Sequence, residues 1–162
     1  MHLEAWHDYF IAQAGASAAI AGLLFVSLSI NIDRIIKMAW LPPRAAMTML
    51  LLVGSLVEAL LALWPRQSVQ VLGIELLAVS LVVWGYAMQL AVESLRTPPK
   101  ELRRYSMQSA LIAQFAMLPA ILGAAGIVAG FEASAYALAF SMVMAILVAF
   151  YNSWVLLVEI LR

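Results

Sequence analysis

The stretch LVEALLALWPRQSVQVLGIE, residues 56–75, decides how this chain folds. It places an apolar helical segment on each side of a Trp-Pro-Arg turn. Each segment carries one acid, Glu58 before the turn and Glu75 after it, and Arg66 lies in the turn itself. An ionisable side chain within a membrane span is costly and is therefore a functional-site hypothesis by default.

The composition of the chain indicates a membrane protein. Of its 162 residues, 65% are hydrophobic and 11% are charged, whereas soluble domains average about 45–50% and about 25%. The formal net charge is zero, which argues against a nucleic-acid partner because phosphate binding needs a basic surface. The absence of cysteine excludes disulfides, thiolate metal sites and cysteine nucleophiles. The opening residues MHLEAWHD lack the positive segment of a signal peptide, so we expect none.

Five stretches are long enough to cross a bilayer, since a transmembrane helix needs about 20 apolar residues. We predict an all-α transmembrane bundle, a single domain over residues 1–162, with spans at about 9–33, 44–64, 67–93, 105–130 and 133–159. The pairs Pro42-Pro43 and Pro98-Pro99, together with Pro65, are expected to end helices because proline lacks an amide hydrogen. The tight turn at 130–132 predicts a hairpin of the last two spans.

The positions of lysine and arginine predict the orientation of the bundle. With five spans, eight of the nine cations fall on one side: Arg34, Lys37, Arg44, Arg96, Lys100, Arg103, Arg104 and Arg162. Only Arg66 falls on the other side. The positive-inside rule then puts the N-terminus outside and the C-terminus in the cytoplasm.

Small residues in two spans predict close helix packing, which drives association in lipid. Gly15, Ala19 and Gly22 share one face of the first span. Gly126 and Gly130 stand in GxxxG spacing in the fourth.

Polar residues within the spans mostly fall on helical stripes, and we interpret them as a polar seam. Its members are Gln13, Ser17, Asn31, Ser55, Gln89, Gln114 and Asn152. Such a seam either holds helices together by hydrogen bonds, inside the bundle or against a neighbouring subunit, or lines a wetted path.

Glu58 and Glu75 are the leading candidates for chemistry. They lie about 9 Å and about 12 Å of helix from the turn, so their carboxyls could meet across the hairpin. Two adjacent carboxylates take up a proton or a cation, and this predicts a proton or cation site near the outer face. The alternatives are a protonated structural pair and an ion pair with Arg66.

Other candidate sites are weaker. The N-terminal group of His2, Glu4, His7 and Asp8 has metal-ligand chemistry but no compact metal-binding spacing, so a solvated terminus is favoured. We interpret the basic segment 96–104 as a signal that sets the membrane orientation of the chain. The alternative is that it docks to a cytoplasmic partner. There is no Gly-rich phosphate loop, GxSxG or HExxH motif. We therefore expect no enzyme, no cofactor and no metal.

Three stretches carry a resemblance to a known family: FIAQAGASAAIAGLLFVSLSIN at 10–31, LPPRA at 41–45 and QSVQVLGIELL at 67–77. They resemble small bacterial multi-pass proteins of unknown function, sometimes labelled modulators of a membrane-bound ATP-dependent protease. The resemblance implies a non-enzymatic accessory protein of a bacterial inner membrane, and it makes Glu75 a family feature.

The sequence thus leaves two functional hypotheses. The first is an accessory or regulatory subunit that acts by helix packing, with copies of itself or within a larger membrane complex. The alternative is a homo-oligomeric ion or proton channel that uses Glu58 and Glu75. In both, the lipid bilayer is the surrounding medium.

Overall fold

The computed structural model describes residues 3–96, 103–131 and 133–161, with side chains described throughout except at 3–4, 103, 105–106 and 157–161. A 3-10 turn at Leu3–Trp6 precedes six helices in these ranges, where no strand occurs. The helices are α1 (His7–Ile30), α2 (Ile32–Ile35), α3 (Leu41–Ala62), α4 (Val69–Arg96), α5 (Arg103–Val128) and α6 (Ser134–Leu161).

The prediction of an all-α bundle with five spans is confirmed. Every helix except the single-turn α2 is long and apolar enough to cross a membrane. The helix ends lie within three residues of the predicted spans. The side of the membrane on which each terminus lies stays a prediction.

The double proline begins a helix and does not end one. α3 starts at Leu41, so Pro42 and Pro43 lie in its first turn. Amide hydrogens in the first turn have no partner within the helix, so proline costs nothing there. The expectation that these prolines end a helix was therefore wrong, and Arg44 belongs to α3.

Gly130 makes the turn that joins α5 to α6. Its φ of +82° lies in the left-handed region, where glycine has no steric penalty. The Phe131 amide donates to the Gly126 carbonyl at 2.9 Å and the Gly130 amide donates to the Ile127 carbonyl at 3.1 Å. This pair of bonds is the Schellman arrangement that ends helices. Glu132, the last residue of the predicted turn, lies outside the described residues.

α3 to α6 form a four-helix bundle, and α1 packs on its outside. Consecutive helices of the bundle contact each other, α3 also contacts α6, and α1 lies mainly against α3. Only 22% of the apolar window of α1 is buried, against 50% for α3. α3 is thus the central helix, and most of α1 faces away from the protein.

An aromatic cluster packs the start of α1 against the start of α6. The Trp6 and Tyr136 rings meet edge to face with centroids 4.8 Å apart. The Tyr9 hydroxyl donates to the Ala139 carbonyl at 2.8 Å. Trp6 and Tyr136 therefore lie at the same end of the bundle, as the predicted topology requires.

Candidate functional site

Glu58 lies in the interior of the bundle. It is on the last two turns of α3, and its side chain is 5% exposed. The Ser80 hydroxyl of α4 donates to its carboxyl at 2.7 Å. Burial of an acid in a span needs such a partner, because an unsatisfied carboxyl in a low-dielectric interior is costly.

Gln13 ties three helices together beside Glu58. From α1 it reaches into the bundle, where its amide nitrogen donates to the Ser55 hydroxyl of α3 at 2.8 Å. The same nitrogen donates to the Met142 carbonyl of α6 at 3.2 Å and to the Ser17 hydroxyl at 3.2 Å. Three of the predicted polar-seam residues, Gln13, Ser17 and Ser55, therefore meet at one point.

A small cavity of about 20 Å³ opens next to these groups. Its polar lining consists of Ser55, Glu58, Ser80 and Ser141, and the rest of the lining is mostly apolar. The Ser141 hydroxyl donates to the Ala116 carbonyl at 2.6 Å. A polar cavity of this size holds about one water molecule, so the arrangement can bind a proton or one small ligand.

The structure does not bring Glu75 to this cavity. Glu75 is half-buried, and its carboxyl accepts a hydrogen bond from the Gln67 side chain in the α3–α4 turn. It lies five residues before Ser80 on α4, which places the two side chains about 140° apart around the helix. Arg66 is exposed in the turn, with a φ of +60°. The three residues predicted to form one site thus occupy three different environments.

The remaining polar-seam residues are dispersed. Asn152 is fully buried near the end of α6, where its side-chain oxygen accepts from Ser109 of α5 at 2.7 Å. Gln114 is half-buried, and neither of its amide atoms has a hydrogen-bond partner among the described residues. The Asn31 side chain donates to the Ser27 carbonyl of α1 at 2.9 Å. Gln89 is exposed.

An apolar cluster separates the two buried polar groups. Met47, Leu51, Met117 and Val148 are among its members. Along α6, Val148 lies between Met142 and Asn152. In the described part of the chain the hydrogen bonds between helices made by the predicted seam residues form two groups, one at Gln13 and one at Asn152.

Most polar side chains of α4 face away from the bundle. The buried residues of α4 share one face: Leu72, Gly73, Leu76, Ser80, Ala87 and Ala91. A second face, centred about 130° around the helix from the buried one, carries Glu75, Tyr86, Gln89 and Glu93, and we call it the α4 stripe. Glu75 is half-buried, and the other three are exposed.

The glycines predicted to pack helices have different surroundings in the structure. A Cβ at Gly126 would lie 2.0 Å from the Ser134 hydroxyl oxygen, so Gly126 does permit a close approach of α5 and α6. Gly130 caps α5, and a Cβ there meets nothing within 4 Å in the described structure. Gly15, Ala19 and Gly22 are exposed, and no described atom of a neighbouring element lies within 4 Å of a Cβ at either glycine.

Arg44 is a buried charge that the sequence analysis missed. It is 6% exposed and lines a cavity of about 10 Å³ with Ser94 and Ser109. Arg44 lies on the same face of α3 as Thr48, Ser55 and Glu58, and this spacing was the available signal. The signal was missed because Arg44 was counted with Arg34 and Lys37 among the cations that set the orientation.

Ser80 and Ser141 were also missed as cavity-lining residues. Ser80 lies about 180° around α4 from Gln89, the α4 residue of the predicted polar seam. A serine in a span commonly bonds to a backbone carbonyl, as Ser141 does, so the presence of Ser141 alone does not locate a cavity.

Several candidate residues contribute no site. His7 and Asp8 are exposed, and in the described ranges no group of three His, Asp or Glu side chains could hold a metal ion. His2, Lys100 and Arg162 lie outside the described residues, and Glu4 and Arg103 are outside the described side chains.

No protein-family model, no curated protein and no solved structure matches the chain.

Proposed function

We propose that this protein is a non-enzymatic subunit of a membrane assembly, formed with copies of itself or within a larger complex. The observation that carries the proposal is the α4 stripe, a line of polar side chains on a surface where a lone bundle would meet lipid. Polar residues in spans normally face protein or a water-filled cavity. A neighbouring helix would provide such a surface.

The depth of the stripe supports this reading. α4 has 28 residues and is about 42 Å long, so about 12 Å extends beyond a hydrocarbon core of about 30 Å. Tyr86 and Gln89 lie about 15 Å and about 10 Å from the end of the helix at Arg96. With the excess shared between both ends, the two side chains lie at the level of the lipid tails. Tyr86 is 59% exposed there.

The exposed glycine face of α1, which consists of Gly15, Ala19 and Gly22, is an independent support. Small residues at membrane helix interfaces let backbones approach closely. None of the described helices occupies this face, so it is available for another chain. We further propose an accessory or regulatory role in a bacterial inner membrane, on the basis of the family resemblance of the first half of the chain.

The test is the association state of the protein in lipid nanodiscs and its cross-linking in native membranes. We expect the double substitution Y86F/Q89L to weaken association, because it removes two hydrogen-bonding groups from the α4 stripe. M88L, an apolar exchange off the stripe on the same helix, is the matched control. G15L/G22L should weaken association in the same assay if the glycine face is also an interface.

Two outcomes would contradict the proposal. One is a protein that stays monomeric over the whole range of protein-to-lipid ratios and co-purifies with no partner. The other is an association that is equally strong in wild type, Y86F/Q89L and M88L, and also in G15L/G22L.

The second candidate function is ion or proton transfer with Glu58 as the binding residue. It is favoured by a buried carboxyl beside a polar cavity that also contains three serine hydroxyls. Carboxyl and hydroxyl oxygens suit protons and hard cations. Because an apolar cluster lies between this cavity and the Ser109–Asn152 pair, transport would need a rearrangement of the bundle or a path between subunits.

Flux into proteoliposomes distinguishes this candidate from a purely structural role. Under a proton or sodium gradient, E58Q should abolish flux while keeping an acceptor for Ser80. E75Q should retain it, since Glu75 bonds to Gln67 and does not line the cavity. Wild-type flux no greater than that of protein-free liposomes would exclude the candidate.

A further inference from the structure

A groove of about 510 Å³ lies between α1 and α6, on the side of α1 next to its contact with the bundle. Its volume falls within the range of small-molecule sites, about 300–1,000 Å³. Most of its lining is apolar: Leu23, Leu24 and Leu28 of α1, and Phe150, Trp154 and Leu156 of α6. Neither the α4 stripe nor the glycine face belongs to it.

The groove has the depth of one membrane leaflet. Its α1 wall runs from Ile20 to Asn31, which is about 16 Å of helix. A hydrocarbon core of about 30 Å gives about 15 Å to each leaflet. The groove therefore begins near the middle of the bilayer and reaches its surface at the α1–α2 junction.

Polar and cationic groups lie at the surface end of the groove. Asn31 lines this end, and Trp154 of the α6 wall is 69% exposed. Arg34 and Lys37 follow within six residues, and both are exposed. Asp33 is exposed as well, so the segment 31–37 carries two positive charges and one negative charge, a net charge of +1.

From this arrangement we propose that the groove binds one acyl chain of an anionic phospholipid, whose phosphate headgroup is held by Arg34 and Lys37. The apolar walls suit an acyl chain. The two cations suit a phosphate group, which must lie at the membrane surface. A helix of another chain is the alternative occupant, and it would keep phospholipid out of the groove.

The experiment measures the phospholipid retained by the purified full-length protein. The protein is reconstituted in vesicles of equal parts phosphatidylglycerol and phosphatidylcholine, extracted in mild detergent and analysed by native mass spectrometry. Wild type should retain at least one phospholipid, with phosphatidylglycerol enriched over its bulk fraction. R34Q/K37Q should reduce this preference roughly fivefold for each cation removed, and retention of the two lipids should become similar.

The filling variant S27F/S153F tests the groove itself, because both serines line it. It should retain less lipid, while A18F, an exposed position of α1 outside the groove, should retain as much as wild type. Wild type that retains no phospholipid, or retains both lipids in their bulk ratio, would overturn the proposal. So would equal retention by S27F/S153F and A18F. If S27F/S153F does not fold, the wild-type measurement and R34Q/K37Q still decide the question.

Discussion

The small residues of α1 and those of α5 look alike in sequence but serve different purposes in the structure. On α5, Gly123 and Gly126 let the backbone of α6 approach closely. A Cβ at Gly123 would lie 2.7 Å from the Leu138 nitrogen and 2.9 Å from the Ser134 carbonyl oxygen. On α1, Gly15 and Gly22 face outward, and in the described structure a Cβ at either position meets nothing within 4 Å.

This difference shows that a run of small residues indicates where another helix can pack closely, but does not indicate which helix packs there. α5 and α6 are consecutive, and the tight turn that joins them places the two helices side by side. α1 is held to the bundle by other means, including the two hydrogen bonds from Gln13 to α3 and α6 and the contact of Trp6 with Tyr136. Its glycine face packs against no described part of the chain.

The largest effect is expected for G123A. The added methyl group would collide with the backbone of α6, which cannot rotate away as a side chain can. Overpacking of this kind typically costs about 1–3 kcal/mol. The free energy of unfolding in bicelles, measured by steric trapping, should fall by this amount in G123A. G15A adds the same methyl group to an open surface and is the matched control; equal stability of the two variants would refute the distinction between the faces.

Q13L should have the next largest effect. Leucine keeps the approximate size of the side chain but removes the hydrogen bonds to Ser55 and to the Met142 carbonyl. Interhelical hydrogen bonds in membranes contribute roughly 0.6–2 kcal/mol, and the unfolding free energy should fall by about this much. Q89L removes an exposed amide from α4 and should leave the monomer equally stable. Equal losses in Q13L and Q89L would show that Gln13 does not hold α1 in place.

G126A should be milder than G123A. Its nearest neighbours are the Ser134 hydroxyl oxygen at 2.0 Å and the Ser134 Cβ at 2.9 Å, and the hydroxyl can rotate to another rotamer. We expect a loss of about 1 kcal/mol, at the lower end of overpacking costs. In a double-mutant cycle S134G should restore part of the stability of G126A, since it removes both atoms. If the effects of G126A and S134G on stability are strictly additive, the loss in G126A does not come from contact with Ser134.

The smallest effect is expected for G15A/G22A. Both positions are exposed, and surface substitutions usually change stability by less than about 0.5 kcal/mol. The same unfolding assay should therefore find this variant close to wild type. A loss comparable to that of G123A would mean that these glycines pack within the chain, and the contrast between α1 and α5 would disappear.

The fold was largely predictable, because length and hydropathy between charges set the number of spans. The site was predictable only in part. Glu58 was identified as an unusual acid, but its partner Ser80 was not, because pairing depends on which faces of α3 and α4 meet. Counting residues from the turn predicted similar membrane depths for Glu58 and Glu75. In the structure the two side chains lie apart, because Glu75 is on a different side of α4 from Ser80, the partner of Glu58. Arg44 was missed because it was counted only as a cation that sets the orientation, and its burial depends on how α3 packs against its neighbours.

By itself, the sequence determined that the chain forms five long apolar helices, because a backbone in lipid must satisfy its hydrogen bonds within each segment. Only the tertiary structure decided which faces are buried: Glu58 with Ser80 inside, Glu75 at the turn, and the α4 stripe and the α1 glycines outside. The physical reason is that lipid and protein interior are nearly equally apolar. The hydrophobic effect therefore does not select the buried face of a membrane helix, and close packing and a few hydrogen bonds select it instead.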